Sequence, residues 1–409
     1  MIAIRKVELL APAGNLEKLK AALIYGADAV YVGGKHFSLR AFGDNFSSDE
    51  LIEAVDFAHA LDRKIYVAVN IFAHNNDLER AADYIAFLDR IGVDAVLISD
   101  LGLFSVAKSS AKRTQLHVST QANTTNWQAV NAWHELGASR IVLARELSFD
   151  EIKCIRQRST VELEMFVHGA MCLSYSGRCW LSHYLTGRDG NQGRCTHSCR
   201  WRYSLVEETR PDQHFDVGED ERGAYVMNSK DLCLLGCLDR AIESGVDSLK
   251  LEGRMKSVHY VASTVKVYRQ AIDAYYDDPD RFSIRADWME ELDKTAHRPF
   301  TTGFFIDDPD GTMITSQSKS DRTAQFLGIV REYDRATGEA LVEQRGKIEV
   351  GRLIEVLQPT GATFIQRLDS MLDEEGNAID AAPHAQQLVR IKTAREVERW
   401  SLLRTGDAL

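Results

Sequence analysis

Residues 7–33 read VELLAPAGNLEKLKAALIYGADAVYVG, in which two short apolar runs enclose an amphipathic stretch. The runs at 7–11 and 29–33 are rich in aliphatic and β-branched residues, which is typical of buried strands. Between them, apolar residues recur at steps of three and four, as on a helix with one buried face. The order strand, helix, strand predicts two parallel strands joined by a right-handed crossover.

The same alternation continues along the chain and predicts an α/β fold. Apolar runs of strand length occur eight times, at 7–11, 29–33, 64–70, 95–99, 115–119, 140–144, 162–168 and 247–253. The stretch at 229–245 is interpreted as helical, with Cys233 and Cys237 in the core, and 259–276 would be the eighth helix. Eight strand–helix units favour a (β/α)8 TIM-type barrel over the alternative, an open doubly wound sheet.

The alternation of strand and helix patterns stops after residue 276. Turn-rich strings such as DDPDRF and DDPDGT indicate a linker with a short helix at 277–322. Apolar runs separated by turn signals then predict a small antiparallel β domain at 323–409, barrel-like because closure removes exposed strand edges. The barrel is expected to span 1–276, with a cysteine-rich insertion at 170–229.

The net charge and the lengths of the apolar runs limit the classes of function that this chain can have. The chain has 409 residues and a formal net charge of −11, which argues against indiscriminate nucleic-acid binding because that binding needs a basic surface. No apolar run approaches the ~18 residues of a membrane span, and the first residues lack the apolar region of a signal peptide. We therefore expect a cytoplasmic protein without a membrane partner, while the sequence gives no indication of oligomeric state.

Residues 163–202 hold four of the seven cysteines, namely Cys172, Cys179, Cys195 and Cys199. In a cytoplasmic protein such a group indicates metal binding or catalysis rather than disulfides. Only Cys195 and Cys199 have the tight spacing usual in zinc sites, so an iron–sulfur cluster is favoured over tetrahedral zinc. The alternative is four buried thiols that act as small apolar side chains. Five arginines against one aspartate give residues 172–202 a local charge of +4, which suits an anionic ligand.

Active sites of (β/α)8 barrels lie at the carboxyl ends of the strands, and the cysteine-rich insertion follows the seventh strand directly. At that end His168 is either a proton donor or ligand, or a buried histidine bonded to backbone. Glu252 and Arg254 follow the eighth strand and, with His168, are the catalytic candidates. They either pair with each other or contact substrate, and the arginine fork suits a carboxylate or phosphate. Gln121 follows the fifth strand and is a further substrate-binding candidate.

The string MNSKDL at 227–232 provides two more substrate-binding candidates, Asn228 and Lys230, although Asn228 could simply cap the helix predicted after it.

Ten motifs, taken in order, resemble the collagenase-like peptidase family, the thirty-second of the peptidase families of unknown mechanism. The motifs are APAG, YGADAVYVG, VAVNIFAHN, SDLGL, STQANTTN, LARELS, FVHGAMCLSYSGRCWLS, NQGRCTHSCRW, MNSKDL and LKLEGRMKS. Within the family they look like the branch that hydroxylates tRNA. The likeness covers roughly residues 1–280 and extends more weakly into the β domain.

The resemblance implies an enzyme that converts the wobble uridine of tRNA to 5-hydroxyuridine, without molecular oxygen and with prephenate as co-substrate. It also implies an iron–sulfur cluster of the 4Fe–4S kind, with zinc in its place if the cluster is lost, and partners among tRNA and the iron–sulfur assembly machinery. The four cysteines would be the cluster ligands. Guanidinium forks for prephenate carboxylates or anticodon phosphates would come from Arg178, Arg194, Arg200 and Arg254. The unstacked base of the anticodon loop would stack on Tyr175 or Trp180.

Three alternatives stay open. The first alternative, which the family name suggests, is a peptidase, although no nucleophile–base pair is recognisable in the sequence. A hydroxylase could instead act on ribosomal RNA or on a quinone precursor. Finally, the metal site could be structural in an RNA-binding protein.

Overall fold

A barrel of eight parallel strands forms the main body of the protein, as the computed structural model shows, so the predicted (β/α)8 architecture is confirmed. The first seven strands are β1 Glu8–Pro12, β2 Ala29–Gly33, β3 Lys64–Ala68, β4 Ala95–Ile98, β5 Gln115–Val118, β6 Arg140–Val142 and β7 Glu162–Ala170. After them come β8 Leu205–Glu207, β9 Arg210–Phe215, β10 Glu219–Asp220, β11 Gly223–Ala224, β12 Asp231–Cys233 and β13 Ser248–Leu251. Strand β13 pairs with both β7 and β1 and closes the barrel.

The structure describes residues 6–39, 45–171, 181–192, 194–196, 198, 205–207, 210–215, 219–220, 223–224, 230–306 and 323–406.

Helices follow most of the barrel strands, and a further helix follows the barrel. They are α1 Leu16–Ile24, α2 Ser48–Ala60, α3 Asn75–Ile91, α4 Leu101–Ser110, α5 Trp127–Leu136, α6 Phe149–Gln157, α7 Leu181–Thr186, α8 Leu238–Glu243, α9 Val258–Asp277 and α10 Ala286–Asp293. Local chemistry sets their ends: Ser47 and Ser148 form capping boxes at the starts of α2 and α6. Gly92 and Gly137 end α3 and α5 in the left-handed conformation. None of the described helices is long and apolar enough to cross a membrane.

The stretch at 229–245 corrects the sequence prediction in part. Its residues 231–233 form β12, which pairs antiparallel to β7 with Cys233 opposite His168, and the helix α8 begins only at Leu238. A short apolar run such as LCLL suits a buried strand as well as a helix, so the periodicity could not decide between them. The predicted core position of both cysteines is confirmed, since Cys233 and Cys237 are each buried.

The barrel interior holds paired charges where such barrels usually hold branched apolar side chains. The guanidinium of Arg140 donates to Glu8 Oε1 at 2.5 Å and to Glu164 Oε2 at 3.1 Å, and Lys250 Nζ donates to Glu164 Oε1 at 2.7 Å. The four residues meet because their strands, β6, β7, β13 and β1, are neighbours in the closed barrel. A buried charge is tolerated only when it is paired, so this layer fixes the register of the strands below the barrel mouth.

The remaining strands are β14 Phe300–Thr301, β15 Phe326–Asp334, β16 Glu339–Gln344, β17 Ile348–Glu349, β18 Leu353–Leu357, β19 Phe364–Arg367, β20 Met371–Leu372, β21 Ala381–Ala382, β22 Leu388–Lys392 and β23 Leu402–Thr405.

Seven of these strands form an antiparallel sheet in the order β19-β18-β23-β15-β16-β22-β20. The predicted antiparallel domain is thus confirmed, as a half-barrel. It packs on the outside of the barrel: Tyr25, at the end of α1, donates to the carbonyls of Leu357 and Trp400 at 2.9 Å each. The stretch between the barrel and this domain contains α10, and β14 pairs with β12 at the edge of the barrel sheet.

Candidate active site at the barrel mouth

Two of the predicted catalytic residues, Glu252 and Arg254, lie at the mouth of the barrel just after β13. The carboxylate of Glu252 accepts a hydrogen bond from the Tyr31 hydroxyl at 2.8 Å, and the same hydroxyl donates to the Leu251 carbonyl at 3.1 Å. Burial, and then the neighbouring charge of Glu252, raises the pKa of Tyr31 well above its ordinary value, so this phenol stays protonated. Tyr31 therefore serves as a fixed hydrogen-bond donor that orients the Glu252 carboxylate.

Arg254 is buried against β2. Its Nη1 donates to the Ser38 hydroxyl at 2.9 Å. Two glycines give it room: a Cβ on Gly33 would lie 2.2 Å from Arg254 Nη1, and a Cβ on Gly14 would lie 2.3 Å from its carbonyl oxygen. Side chains at either position would displace the arginine, so these glycines are needed for its placement.

On the opposite side of the mouth, a group of amides and hydroxyls connects Gln121 to the chain beside Ser38. The Gln121 side-chain oxygen accepts from the Ser119 hydroxyl at 2.6 Å and from Asn70 Nδ2 at 3.3 Å. The side-chain oxygen of Asn70 in turn accepts from the backbone N–H of Leu39, the residue after Ser38, at 3.3 Å. Gln121 and Arg254, which the sequence placed after two different strands, therefore lie on one polar surface, with Glu252 two residues before Arg254 at its edge.

His168 is placed differently from the other candidates. It is 1% exposed, and its ring packs against Tyr260, Tyr268 and Phe300 with centroids 5.9, 5.5 and 5.6 Å away. Burial, followed by the charges of His297 and Lys256, lowers the pKa of its imidazole to about 3. The imidazole is thus neutral near pH 7 and contacts helix α9, and its role as a proton donor or ligand stays a prediction.

Cys195 is the one predicted thiol that falls among the described residues, and a group of hydroxyls fixes the chain around it. Ser182 of α7 accepts from the backbone N–H of Thr196 at 3.0 Å, and the Thr196 hydroxyl lies 2.6 Å from that of Ser198. Nearby, the carbonyl of Asn191 accepts from the backbone N–H of Phe72, just past β3, at 3.1 Å. This bond fastens the cysteine-bearing segment to the carboxyl end of the barrel, where the sequence predicted it.

The other predicted residues divide into two groups. Of those that the structure describes, Arg194 is exposed and Lys230 is half-buried. The rest lie outside the described residues, and these are Cys172, Cys179, Cys199, Arg178, Arg200, Tyr175, Trp180 and Asn228.

The chemistry of the donor set is consistent with a metal cluster, because cysteine thiolates bind iron–sulfur clusters and zinc. In the part of the chain that the structure describes, no group of three or more metal-binding side chains surrounds a common point, and Cys195 is the only predicted ligand within it. The ligand set therefore stays a prediction.

Sequence reasoning did not select as site residues those that support the predicted ones, namely Tyr31, Ser38, Asn70 and Ser119. Asn70 and Ser119 end predicted strands, and that position was the available signal. No signal marks Tyr31 or Ser38, because their importance arises only from contacts with Glu252 and Arg254, which follow β13 and lie more than 200 residues away in the chain.

A closed parallel barrel, a polar mouth and a half-barrel domain on its outer face define the class of this protein. Comparison with known families agrees: residues 14–315 match the peptidase family U32 and residues 322–404 match the peptidase family U32 C-terminal domain. The chain belongs to peptidase family U32.

Curated relatives make the comparison more specific. The tRNA hydroxylation protein P1 of Bacillus subtilis is 43% identical over 98% of this chain and 95% of that protein. The tRNA hydroxylation protein P of Escherichia coli is 37% identical over 96% of this chain and 95% of that protein. The 23S rRNA 5-hydroxycytidine C2501 synthase of Escherichia coli is 34% identical, over 80% of this chain and 48% of that protein.

Proposed function

We propose that this protein hydroxylates RNA, and specifically that it converts the wobble uridine in the anticodon loop of tRNA to 5-hydroxyuridine. The observation that carries the proposal is the 43% identity to tRNA hydroxylation protein P1, which extends over 98% of the chain and so includes both the barrel and the half-barrel domain. A tRNA substrate implies a cytoplasmic location. The reaction is proposed to use prephenate and to need no molecular oxygen.

The described mouth suits a polar, anionic substrate. Arg254 presents a guanidinium beside Ser38, and Gln121 and Asn70 present amides that match the edges of a base or the oxygens of a small acid. Glu252, oriented by Tyr31, is an acceptor for a hydroxyl or N–H of the substrate. A uridine can reach this surface only when it leaves the stack of its loop, as enzymes acting on a base require.

The proposed cofactor is an iron–sulfur cluster held by Cys172, Cys179, Cys195 and Cys199, which would supply redox chemistry at the mouth. The hydroxyls of Ser182, Thr196 and Ser198 would then set the backbone beside one ligand, Cys195. Loading of the cluster would require the iron–sulfur assembly machinery as a partner.

Peptidase chemistry is less well supported by the described mouth. The hydroxyls of Ser38, Ser99 and Ser119 bond to Arg254, to the Asn70 carbonyl and to Gln121 respectively. None of these three hydroxyls bonds to a histidine, so the pairing that activates a serine nucleophile is not formed by them.

The test is nucleoside analysis of RNA from a deletion strain. Loss of 5-hydroxyuridine from tRNA, restored by the wild-type gene and by Cys154→Ser but not by Cys195→Ser, is expected. Cys154 is the matched control because it is a half-buried cysteine on the outer helix α6, bonded to Arg158. Anaerobically purified wild-type protein should contain iron and sulfide in matching amounts, and Cys195→Ser should not.

Two results would contradict the proposal. Unchanged 5-hydroxyuridine in the deletion strain, with 5-hydroxycytidine lost from ribosomal RNA, would assign the protein to the alternative RNA substrate. Zinc without sulfide in the purified protein would make the cysteine segment structural.

A further inference from the structure

Arg145 occupies a position at the mouth that the polar surface described above does not use. It follows β6, is half-exposed, and its guanidinium lies over the ring of Phe166 with Cζ 3.8 Å from the ring centroid. Within the part of the chain that the structure describes, its guanidinium makes no hydrogen bond and no ion pair. It also interacts electrostatically with Tyr31, which lies at the mouth, and its five N–H donors have no acceptor among the described residues.

Two other arginines of the same barrel form ion pairs with protein carboxylates. Arg140, five residues earlier, binds Glu8, Glu162 and Glu164. Arg156, on α6, binds Asp247 at 3.2 Å. These residues are held by protein carboxylates that lie within reach, whereas no described carboxylate forms such a pair with Arg145.

The setting of Arg145 favours an external anion. Contact with the Phe166 ring holds the guanidinium in place, and its N–H groups form the fork that fits two oxygens. The ammonium of Lys250 lies over the same ring at 5.4 Å, but it is already bonded to Glu164. Of the two cations over this ring, Arg145 is therefore the one that has no carboxylate partner in the described part of the chain.

We infer that Arg145 is an oxyanion-binding residue of the mouth, which takes a carboxylate of a small-molecule acid or a phosphate of the RNA backbone in its guanidinium fork. The inference rests on the proposed function only for the choice of ligands, because the position of the guanidinium over Phe166, without an acceptor among the described residues, is a property of the barrel itself. Arg145 and Arg254 would then hold two separate anionic groups.

The test compares Arg145→Gln and Arg145→Lys with the control Arg158→Gln. Arg158 is also an arginine stacked on an aromatic ring, with Cζ 5.5 Å from the Trp127 centroid, but it is exposed on the outer helices. Binding of prephenate is measured by calorimetry, and binding of an unmodified tRNA transcript by filter retention over a range of salt concentrations. Neither assay requires turnover, and thermal unfolding confirms that each variant folds.

A carboxylate ligand predicts that Arg145→Gln weakens prephenate binding by about 10- to 100-fold, the range for loss of a charge-assisted bidentate contact, with tRNA binding unchanged. Arg145→Lys should weaken it less, because the charge stays and the fork is lost. A phosphate ligand predicts instead that tRNA binding weakens and that its salt dependence falls by about one unit of slope. Arg158→Gln should change neither the affinity for prephenate nor the affinity for tRNA.

Unchanged affinity of Arg145→Gln for both ligands, each bound by the wild-type protein, would overturn the assignment of Arg145 and leave the proposed function intact. Wild-type protein that bound neither ligand would overturn the proposed function and this site's ligands together.

Discussion

A single methyl group at Gly33 should disable the mouth without unfolding the barrel. Gly33 ends β2, and its backbone is not in the left-handed region, so alanine fits the chain conformation there. The new Cβ would nevertheless lie 2.2 Å from Arg254 Nη1 and 2.6 Å from the Ser38 hydroxyl. Gly33→Ala therefore acts on the position of Arg254 rather than on the fold.

The size of the effect follows from these distances. Ordinary contact needs at least 3.4 Å, so the guanidinium must retreat by about 1.2 Å, which breaks its bond to Ser38. Misplacement of a catalytic or positioning group by about 1 Å can cost about 100-fold in rate. The cost in stability should be smaller, about 1–3 kcal/mol, because the atom that must move is the end of a flexible side chain.

The assay is the initial rate of the proposed reaction, 5-hydroxyuridine formation on a tRNA transcript, with the free energy of unfolding measured in parallel. Gly236→Ala is the matched control, because a Cβ at Gly236 would meet no atom within 4 Å, and its rate should equal that of the wild type. A Gly33→Ala protein that folds and reacts within about threefold of the wild-type rate would refute the role of the Arg254 position.

Two further predictions concern stability. Arg404 is fully buried between the half-barrel domain and the barrel, where it binds Glu291 and Glu355, so Arg404→Met should lower the free energy of unfolding by about 3–5 kcal/mol. In denaturant titrations the added changes Glu291→Gln and Glu355→Gln should restore part of that loss, and a loss below about 1 kcal/mol would show that the network is not formed. His168 has a pKa of about 3 in the folded protein, so the unfolded chain binds its proton first and stability falls as pH decreases below about 6.5. Replacing it in His168→Gln should flatten the pH dependence of unfolding between about pH 6.5 and 4.5, by on the order of 1.4 kcal/mol per unit, and an unchanged slope would contradict burial of a neutral imidazole.

The barrel could be predicted from the sequence because its strands are buried on both faces and therefore appear as continuous apolar runs with helical patterns between them. The run at 140–144 lies within one or two residues of the observed strand Arg140–Val142. That Arg140 points into the barrel could not be predicted, because the carboxylates that compensate its charge come from β1 and β7. A charged residue at the start of a strand is ordinarily predicted to be exposed to solvent. Only closure of the barrel brings Arg140 together with Glu8 and Glu164.

The same distinction applies to the site. Position at a strand end indicated Gln121, Glu252 and Arg254, since that rule depends only on where each strand stops. What fixes each side chain is contact across the mouth: Asn70 for Gln121 and Tyr31 for Glu252. Such contacts depend on the stagger of neighbouring strands, which the order of elements does not specify.

The half-barrel domain supports the mouth as well as the outer wall. The guanidinium of Arg404 donates to His259 Nε2 at 3.2 Å in the first turn of α9. The next residue, Tyr260, donates its hydroxyl to the Glu252 carbonyl at 3.1 Å. Loss of Arg404 would thus loosen the turn that holds the backbone of Glu252, and its effect should extend from unfolding to reaction rate. The buried position of Arg404 against α9 therefore indicates that the half-barrel domain holds the Glu252 segment in place.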